Sequence, residues 1–292
     1  MNQLTLPAPA KLNLFLHITG RREDGYHLLQ TIFQFLDFSD EIKLSLRDDE
    51  KIQRVKGLEH IPQESDLCVR AARLLHSELQ SQSKRSVGVD ISIKKILPIG
   101  GGIGGGSSDA ATVLLGLNKL WDCGFSTQRL ADIGLRLGAD VPVFIQGFSA
   151  WAEGVGEYLT PVDLPEKWFL LIYPKVFVST AEIFTDQALT RDCEPIKIAR
   201  FLKGSGIEKN LEEVSNVFEP VVRNKYQEIA DALDWLSNFS PARLTGTGSC
   251  LFASFDCESS AKRALSLLPN NRQWQGFVVK GVNTSPLILS LE

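Results

Sequence analysis

Four places in this 292-residue chain combine residue types that could do chemistry. The first is the stretch from Leu97 to Thr112, LPIGGGIGGGSSDAAT, with six glycines between Gly100 and Gly106 followed by Ser107 and Ser108. Glycine costs backbone entropy and adds no packing, so a run this dense implies that something approaches the backbone too closely for side chains. The second is Lys11 and Asn13, two residues apart in PAKLNLFL; the third is Asp140, just ahead of Val141 and Pro142; the fourth is the pair Tyr26 and His27 after a turn. A cation and a carboxylate brought to one alcohol, beside a backbone cradle for an anion, would suffice for phosphoryl transfer, which needs placement and charge stabilisation more than a special nucleophile.

The elements that must position these residues are legible from periodicity. Leu12, Leu14, Leu16 and Ile18 alternate with Lys11, Asn13, Phe15 and His17, which predicts a half-buried strand with Lys11 and Asn13 on one side. Glu23-Asp24-Gly25 is turn chemistry, and Glu41 to Leu46 alternates again. Asp66 to Leu79 reads as a helix with Leu67, Ala71, Leu74 and Leu75 on one stripe, and Val87 to Ile93 as a strand leading into the glycines. A helical stripe follows from Ala110 to Trp121, and a second helix from Ser126 to Leu137, with Gly138 as its stop. The polar, proline-containing stretch Pro161–Lys167 precedes a strand at Trp168–Tyr173. It divides the chain into two domains, residues 1–160 and 161–292.

A glycine loop between a strand and a helix is a phosphate site in unrelated folds, because free N–H groups and the positive helix end converge there. It is no Walker A loop, since no lysine follows the glycines. Gly100, Gly102 and Gly105 satisfy G-x-G-x-x-G, but the dinucleotide fold needs an acidic residue on a following strand, where a second helix is expected instead. An ordinary loop capped by Ser107 or Ser108 accounts for the serines and not for six glycines.

The loop resembles P-x-G-x-G-L-G-S-S-A of the galactokinase, homoserine kinase, mevalonate kinase and phosphomevalonate kinase family. Two further motifs support the resemblance: PAKLNLFL from Pro9 to Leu16, and the second glycine-rich turn ARLTGTGSCLFA from Ala242 to Ala253. GRREDGYHLLQTIFQFLD and LGADVPVFIQG resemble the branch that phosphorylates the 2-hydroxyl of a methylerythritol unit carried on cytidine diphosphate, in non-mevalonate isoprenoid synthesis. The match runs nearly continuously from Pro9 to about Pro161 and returns from Arg243 to Pro286; between them, roughly Thr185–Ala230 matches only loosely. The resemblance implies an α/β fold (α+β type) of two domains with the site in the cleft between them, and ATP and Mg²⁺ as cofactors. Another kinase, or a lyase resembling diphosphomevalonate decarboxylase, is the alternative within the superfamily.

Carried over residue by residue, the resemblance makes Lys11 and Asp140 catalytic, where the bare sequence allows a solvated lysine and a helix cap. Pro98, Gly100, Gly101, Gly102, Gly104, Gly105, Gly106, Ser107 and Ser108 would hold the phosphates, one of the two serines also meeting Mg²⁺. Lys95, Asp66 and Leu67 would border the nucleotide. Tyr26 would stack on cytosine opposite Phe184, which could equally be a core residue, with His27 reading the base edge and Thr180 beside it. Asn13 and Phe33 would line the sugar, and Gly246 and Gly248 would leave room for the diphosphate unless they merely turn a hairpin. Asp109 receives no role.

Composition excludes other classes. A net charge of −4 gives no basic field for nucleic acid. Five cysteines without a C-x-x-C pair suggest mostly buried, reduced thiols in a cytoplasmic protein. No membrane span or signal segment is expected, and the chain is expected to act as a monomer or weak homodimer on a small molecule.

Overall fold

The structure, a computed structural model, describes residues 2–81, 87–199 and 207–292. A long antiparallel hairpin organises it: β1 (Gln3–Arg21) and β2 (His27–Leu46), joined by a turn in which Arg22 N–H donates to Tyr26 O at 2.7 Å. Irregularities between Pro9 and Lys11 and between Asn13 and Leu16 interrupt their register. Such bulges bend a strand and re-aim its side chains.

Around the hairpin lie β3 (Ile52–Lys56), α1 (Leu67–Ser81), β4 (Val89–Lys94), α2 (Gly105–Leu120), α3 (Thr127–Leu135), α4 (Val141–Gln146), β5 (Ala150–Glu153) and β6 (Tyr158–Pro161). The later residues supply β7 (Trp168–Tyr173), α5 (Thr180–Thr185), β8 (Ala242–Leu244), β9 (Leu251–Phe255) and β10 (Gln275–Val282), with helices at Glu219–Lys225, Gln227–Ser237 and Glu258–Leu265. The sheet order is β3-β4-β2-β10-β7-β9-β8, with β1 on β2 and β5 bridging β2 to β6. Among the described residues β3 and β4 are the one parallel strand pair, so this is an α+β sheet. β10 pairs with both β2 and β7 and so carries the sheet from early to late strands.

Three apolar clusters fill the layers. One packs α1, α2 and α4 on β2 and β4 through Leu44, Ile91, Leu75, Leu114, Leu117 and Phe144. A second packs the later helices on β7 and β9, and a third joins Leu12, Phe15, Trp151, Phe169 and Phe252. This third cluster corrects the expectation of a half-buried strand, because every residue from Ala8 to Leu16 is buried. β1 is covered on both faces, and its polar residues 11 and 13 therefore sit inside the molecule.

Two capping expectations are also corrected. α2 is capped by Gly104, not by a serine: Gly104 is left-handed (φ 76°) and its carbonyl accepts from Ser108 N–H at 2.8 Å. α3 ends at Leu135 with Arg136 as its cap residue, and Gly138 does not adopt the left-handed stop conformation. The strand expected at Trp168–Tyr173 and the helix after Asp66 are present, Asp66 accepting from Cys68 N–H at 2.7 Å. Among the described residues no helix is long and apolar enough to cross a membrane. Residues 200–206 of the loosely matching region lie outside the described residues.

Candidate active site

The catalytic candidates meet through the hairpin and the N-terminal end of α4. Side chains two apart on a strand share a face, and Lys11 Nζ donates to Asn13 Oδ1 at 2.6 Å. Asn13 is fixed in turn: its Nδ2 donates to Thr31 Oγ1 at 3.0 Å and its backbone N–H to Thr245 Oγ1 at 2.9 Å. Phe33, its register partner on β2, lies under the ammonium at 4.9 Å. Lys11 is only 2% exposed, so its charge needs partners, and the second is Asp140 Oδ2 at 3.1 Å. Asp140 occupies the N-cap position of α4 but makes no capping hydrogen bond with its side chain. The carboxylate faces Lys11 instead, 35% exposed and open to the cleft.

The glycine loop forms the facing wall. It is tied to β1 by Lys11 N–H donating to Ile103 O at 3.0 Å, and to the later half by Cys250 N–H donating to Gly101 O at 3.0 Å. Gly102, left-handed at φ 74°, has no space for a side chain: a Cβ there would strike the Thr245 carbonyl. Gly246 is the converse, a Cβ on it standing 2.8 Å from Gly102 O. The two glycine-rich turns are thus packed backbone to backbone, and this contact occupies the side-chain space at Gly246, while a Cβ on Gly248 would stand 3.1 Å from the Leu244 side chain. Gly246 still lines the cleft and Gly248 does not. Asn216 Nδ2 holds the second turn by donating to Leu244 O and Gly246 O at 2.9 and 2.8 Å.

Pro98, Gly100, Gly101, Gly102, Gly104, Gly105, Gly106, Ser107, Lys95 and Leu67 line one cleft of about 1170 Å³ together with Lys11, Asn13, Phe33, Asp140, Tyr26, His27, Thr180 and Phe184. Ser108 is buried behind them with an unpartnered hydroxyl. Asp66 does not reach the cleft: its carboxylate caps α1 and pairs with Arg54. On the same cleft Tyr26 is 63% exposed, while Phe184 is half-buried, edge-on to Phe218 at 4.8 Å and tilted against His27 at 5.1 Å. Burial, then Arg191 and Arg21, lower the pKa of His27 and keep the ring neutral, and its Nε2 is buried without a partner. Thr180 and Thr247 share a hydroxyl hydrogen bond of 2.9 Å.

The sequence reading missed the group behind the loop. Lys95 is ion-paired with both Asp40 and Asp109, and Asp109 lines the cleft. Asp40 also accepts from Ile96 and Leu97 N–H at 2.5 and 2.8 Å. The pairing of β2 with β4, which sets Glu41 opposite Lys94, brings Asp40 to Lys95, and α2 brings Asp109 to both; neither juxtaposition is visible locally.

Two glycine-rich turns and a lysine–aspartate pair thus share one cleft, and the comparisons define the class of the chain. Residues 66–148 match the GHMP kinases N terminal domain and residues 201–271 the GHMP kinases C terminal family. A crystal structure of mevalonate kinase shares the fold, at a TM-score of 0.70 and 17% identity, over 96% of this chain and 99% of that one. Within that class the chain belongs to the 4-diphosphocytidyl-2-C-methyl-D-erythritol kinase family. It is 56% identical to the member from Nitrosococcus oceani, over 99% of this chain and 98% of that protein, and 51% identical to the member from Hahella chejuensis, over 99% and 97%. The crystal structure of a 4-(cytidine 5'-diphospho)-2C-methyl-D-erythritol kinase superposes at a TM-score of 0.77 with 29% identity, over 96% of this chain and all of that one.

Proposed function

We propose that this chain transfers the γ-phosphoryl group of ATP to the 2-hydroxyl of 4-diphosphocytidyl-2-C-methyl-D-erythritol. The observation that carries the reading is the Lys11–Asp140 pair facing the glycine loop within one cleft. Asp140 orients the hydroxyl and takes its proton; Lys11, held by Asn13, keeps Asp140 in place and offsets the charge that develops on the transferring group. The N–H groups of the loop and the positive end of α2 hold the phosphates, with Lys95, Pro98 and Leu67 at the nucleotide. Tyr26 and Phe184 stack on cytosine, and neutral His27, with one donor and one acceptor nitrogen, reads its edge beside Thr180.

The site fits Mg²⁺ in one way. No group of three or more His, Cys, Asp or Glu able to hold a metal occurs among the described residues, so phosphate oxygens would supply most ligands, as is usual for this ion. Ser107, at the cleft wall, or Ser108, with its unpartnered hydroxyl, would add a protein ligand. When bound, the ion neutralises charge on the β- and γ-phosphates.

The division into an ATP side (1–160) and a substrate side (161–292), action as a monomer or weak homodimer, and a cytoplasmic setting are parts of the same reading. A coupled assay of ADP release tests it: release that depends on the cytidyl substrate is expected, and release indifferent to it would refute the assignment.

A further inference from the structure

Thr31 is fully buried on β2, lines no part of the cleft and has no share in the chemistry above. Its place follows from the bulge in the hairpin. Asn13 pairs with Phe33 and Leu16 with Thr31, so Leu14 and Phe15 together stand opposite Ile32. Thr31 and Phe33 lie two apart on one strand and share a face, which sets the Thr31 hydroxyl diagonally across from Asn13. Asn13 Nδ2 donates to Thr31 Oγ1 at 3.0 Å, and the Thr31 hydroxyl donates to the Phe15 carbonyl.

We propose that Thr31 is a positioning residue for phosphoryl transfer, fixing the Asn13 amide so that its oxygen, and not its nitrogen, faces the Lys11 ammonium. This rests on the kinase reading, because Lys11 and Asp140 are taken there as the catalytic pair.

An asparagine can present either end of its amide, the oxygen accepting and the NH2 donating, and a half-turn exchanges the two. Only the oxygen suits Lys11, since an ammonium donates and never accepts. Thr31 settles the matter at the other end. A free hydroxyl either donates or accepts, but this one commits its single proton to a carbonyl, which only accepts. What it offers Asn13 is a lone pair, and only the NH2 can meet it.

The bonds therefore run one way, from Lys11 Nζ to Asn13, from Asn13 to Thr31 and from Thr31 to the Phe15 carbonyl. Each dipole turns its negative end toward the ammonium, and hydrogen bonds aligned in series polarise one another. A reversed amide would set an NH2 against a buried cation and leave the Asn13 oxygen facing the hydroxyl oxygen, so that both contacts repel. Lys11, displaced from Asn13, would no longer hold Asp140 Oδ2 at 3.1 Å. A misplacement of about 1 Å in a catalytic group can cost about a hundredfold in rate.

The test is a double-mutant cycle on kcat, measured with the whole protein at saturating ATP and cytidyl substrate. Thr31→Val keeps the shape and removes the hydroxyl; kcat should fall roughly ten- to a hundredfold, while KM for ATP stays within about twofold. Thr31→Ser retains the hydroxyl and should keep most of the rate. In an Asn13→Ala background there is no amide to orient, so Thr31→Val should lower kcat there by no more than about twofold. A side chain that merely supported the fold would lower it equally in both backgrounds. Should Thr31→Val not fold, Thr31→Ala takes its place in the cycle. Near-normal kcat without the hydroxyl, a loss in Thr31→Ser as large as in Thr31→Val, or a full loss repeated in the Asn13→Ala background overturns the inference and leaves the kinase reading standing. An unmodified protein that releases no ADP in response to the cytidyl substrate overturns both.

Discussion

Asp140 stands where a helix cap should be, yet its carboxylate bonds to Lys11 Nζ at 3.1 Å and not to the backbone of α4. Its charge therefore serves the cleft, and the helix start loses nothing without it. Asp140→Asn should keep the melting temperature within a few degrees and leave ATP binding intact, while turnover falls by roughly 10²–10⁴, the scale of a positioned acid or base. Stopped-time assays beside a melting curve check both halves. Near-normal turnover would return Asp140 to a structural role.

The glycine loop separates into positions that serve the fold and positions that serve the ligand. At Gly105 an added Cβ would meet Lys95 Nζ and Leu97 at 3.5 to 3.7 Å, ordinary contact distances, so Gly105→Ala should fold. It should raise KM for ATP about tenfold, near 1.4 kcal/mol, with little effect on the cytidyl substrate. Gly102→Ala should instead cost about 1–3 kcal/mol of stability, because the left-handed backbone and the Thr245 carbonyl both resist it, and should weaken both ligands together. Chemical denaturation and paired KM values distinguish the two outcomes.

The sequence carried the pieces of this site better than their joints. Lys11 and Asn13 share a face because strand periodicity requires it, and the structure joins them directly. That β1 would be buried on both sides was hidden, since the cover comes from Trp151, Phe169 and Phe252, far along the chain. The local sequence alone allowed Asp140 to be a cap, and only the resemblance joined it to Lys11, because that partner lies far away in the chain. Gly246 and Gly248 read as space for a ligand, and their spacing cannot tell a ligand from a second glycine loop. Asp109 stayed silent for the same reason: its partners Asp40 and Lys95 arrive through the pairing of β2 with β4. Motifs report what lies within one element, whereas ion pairs across elements need the fold.

Asp109 also predicts how stability depends on pH. Its carboxyl is raised by burial to about 7 when folded and lies in the ordinary carboxylate range when unfolded, so between those values the folded protein binds the extra proton. The stability this one carboxyl contributes is thus present in full below about pH 4, declines as pH rises to about 7 and is gone above it. Asp49, Asp90, Asp186 and Asp231 are lowered by their hydrogen-bond and ion-pair partners, so they act with opposite sign, below the ordinary carboxylate range. The melting temperature of Asp109→Asn relative to the unmodified protein should rise between pH 5 and 8, values spanning about two units of that window. A constant difference would show that the carboxyl ionises normally.

Tyr26 and Phe184 both line the cleft, but the structure invests them differently, and substitution should reveal it. Tyr26 is 63% exposed, so Tyr26→Ala should leave stability unchanged. Stacking of a base on an aromatic ring is worth about 1–3 kcal/mol, so KM for the cytidyl substrate should rise roughly ten- to a hundredfold. KM for ATP should hold, since neither ring belongs to the glycine loop. Phe184 packs edge-on against Phe218 and beside His27, so Phe184→Ala should raise the same KM and lower the melting temperature as well. It should also expose the His27 ring to water, lifting the burial that lowers its pKa, so that binding of the cytidyl substrate acquires a pH dependence near the ordinary imidazole range. Normal binding of the cytidyl substrate by both folded variants would place the base elsewhere and remove the stacking argument.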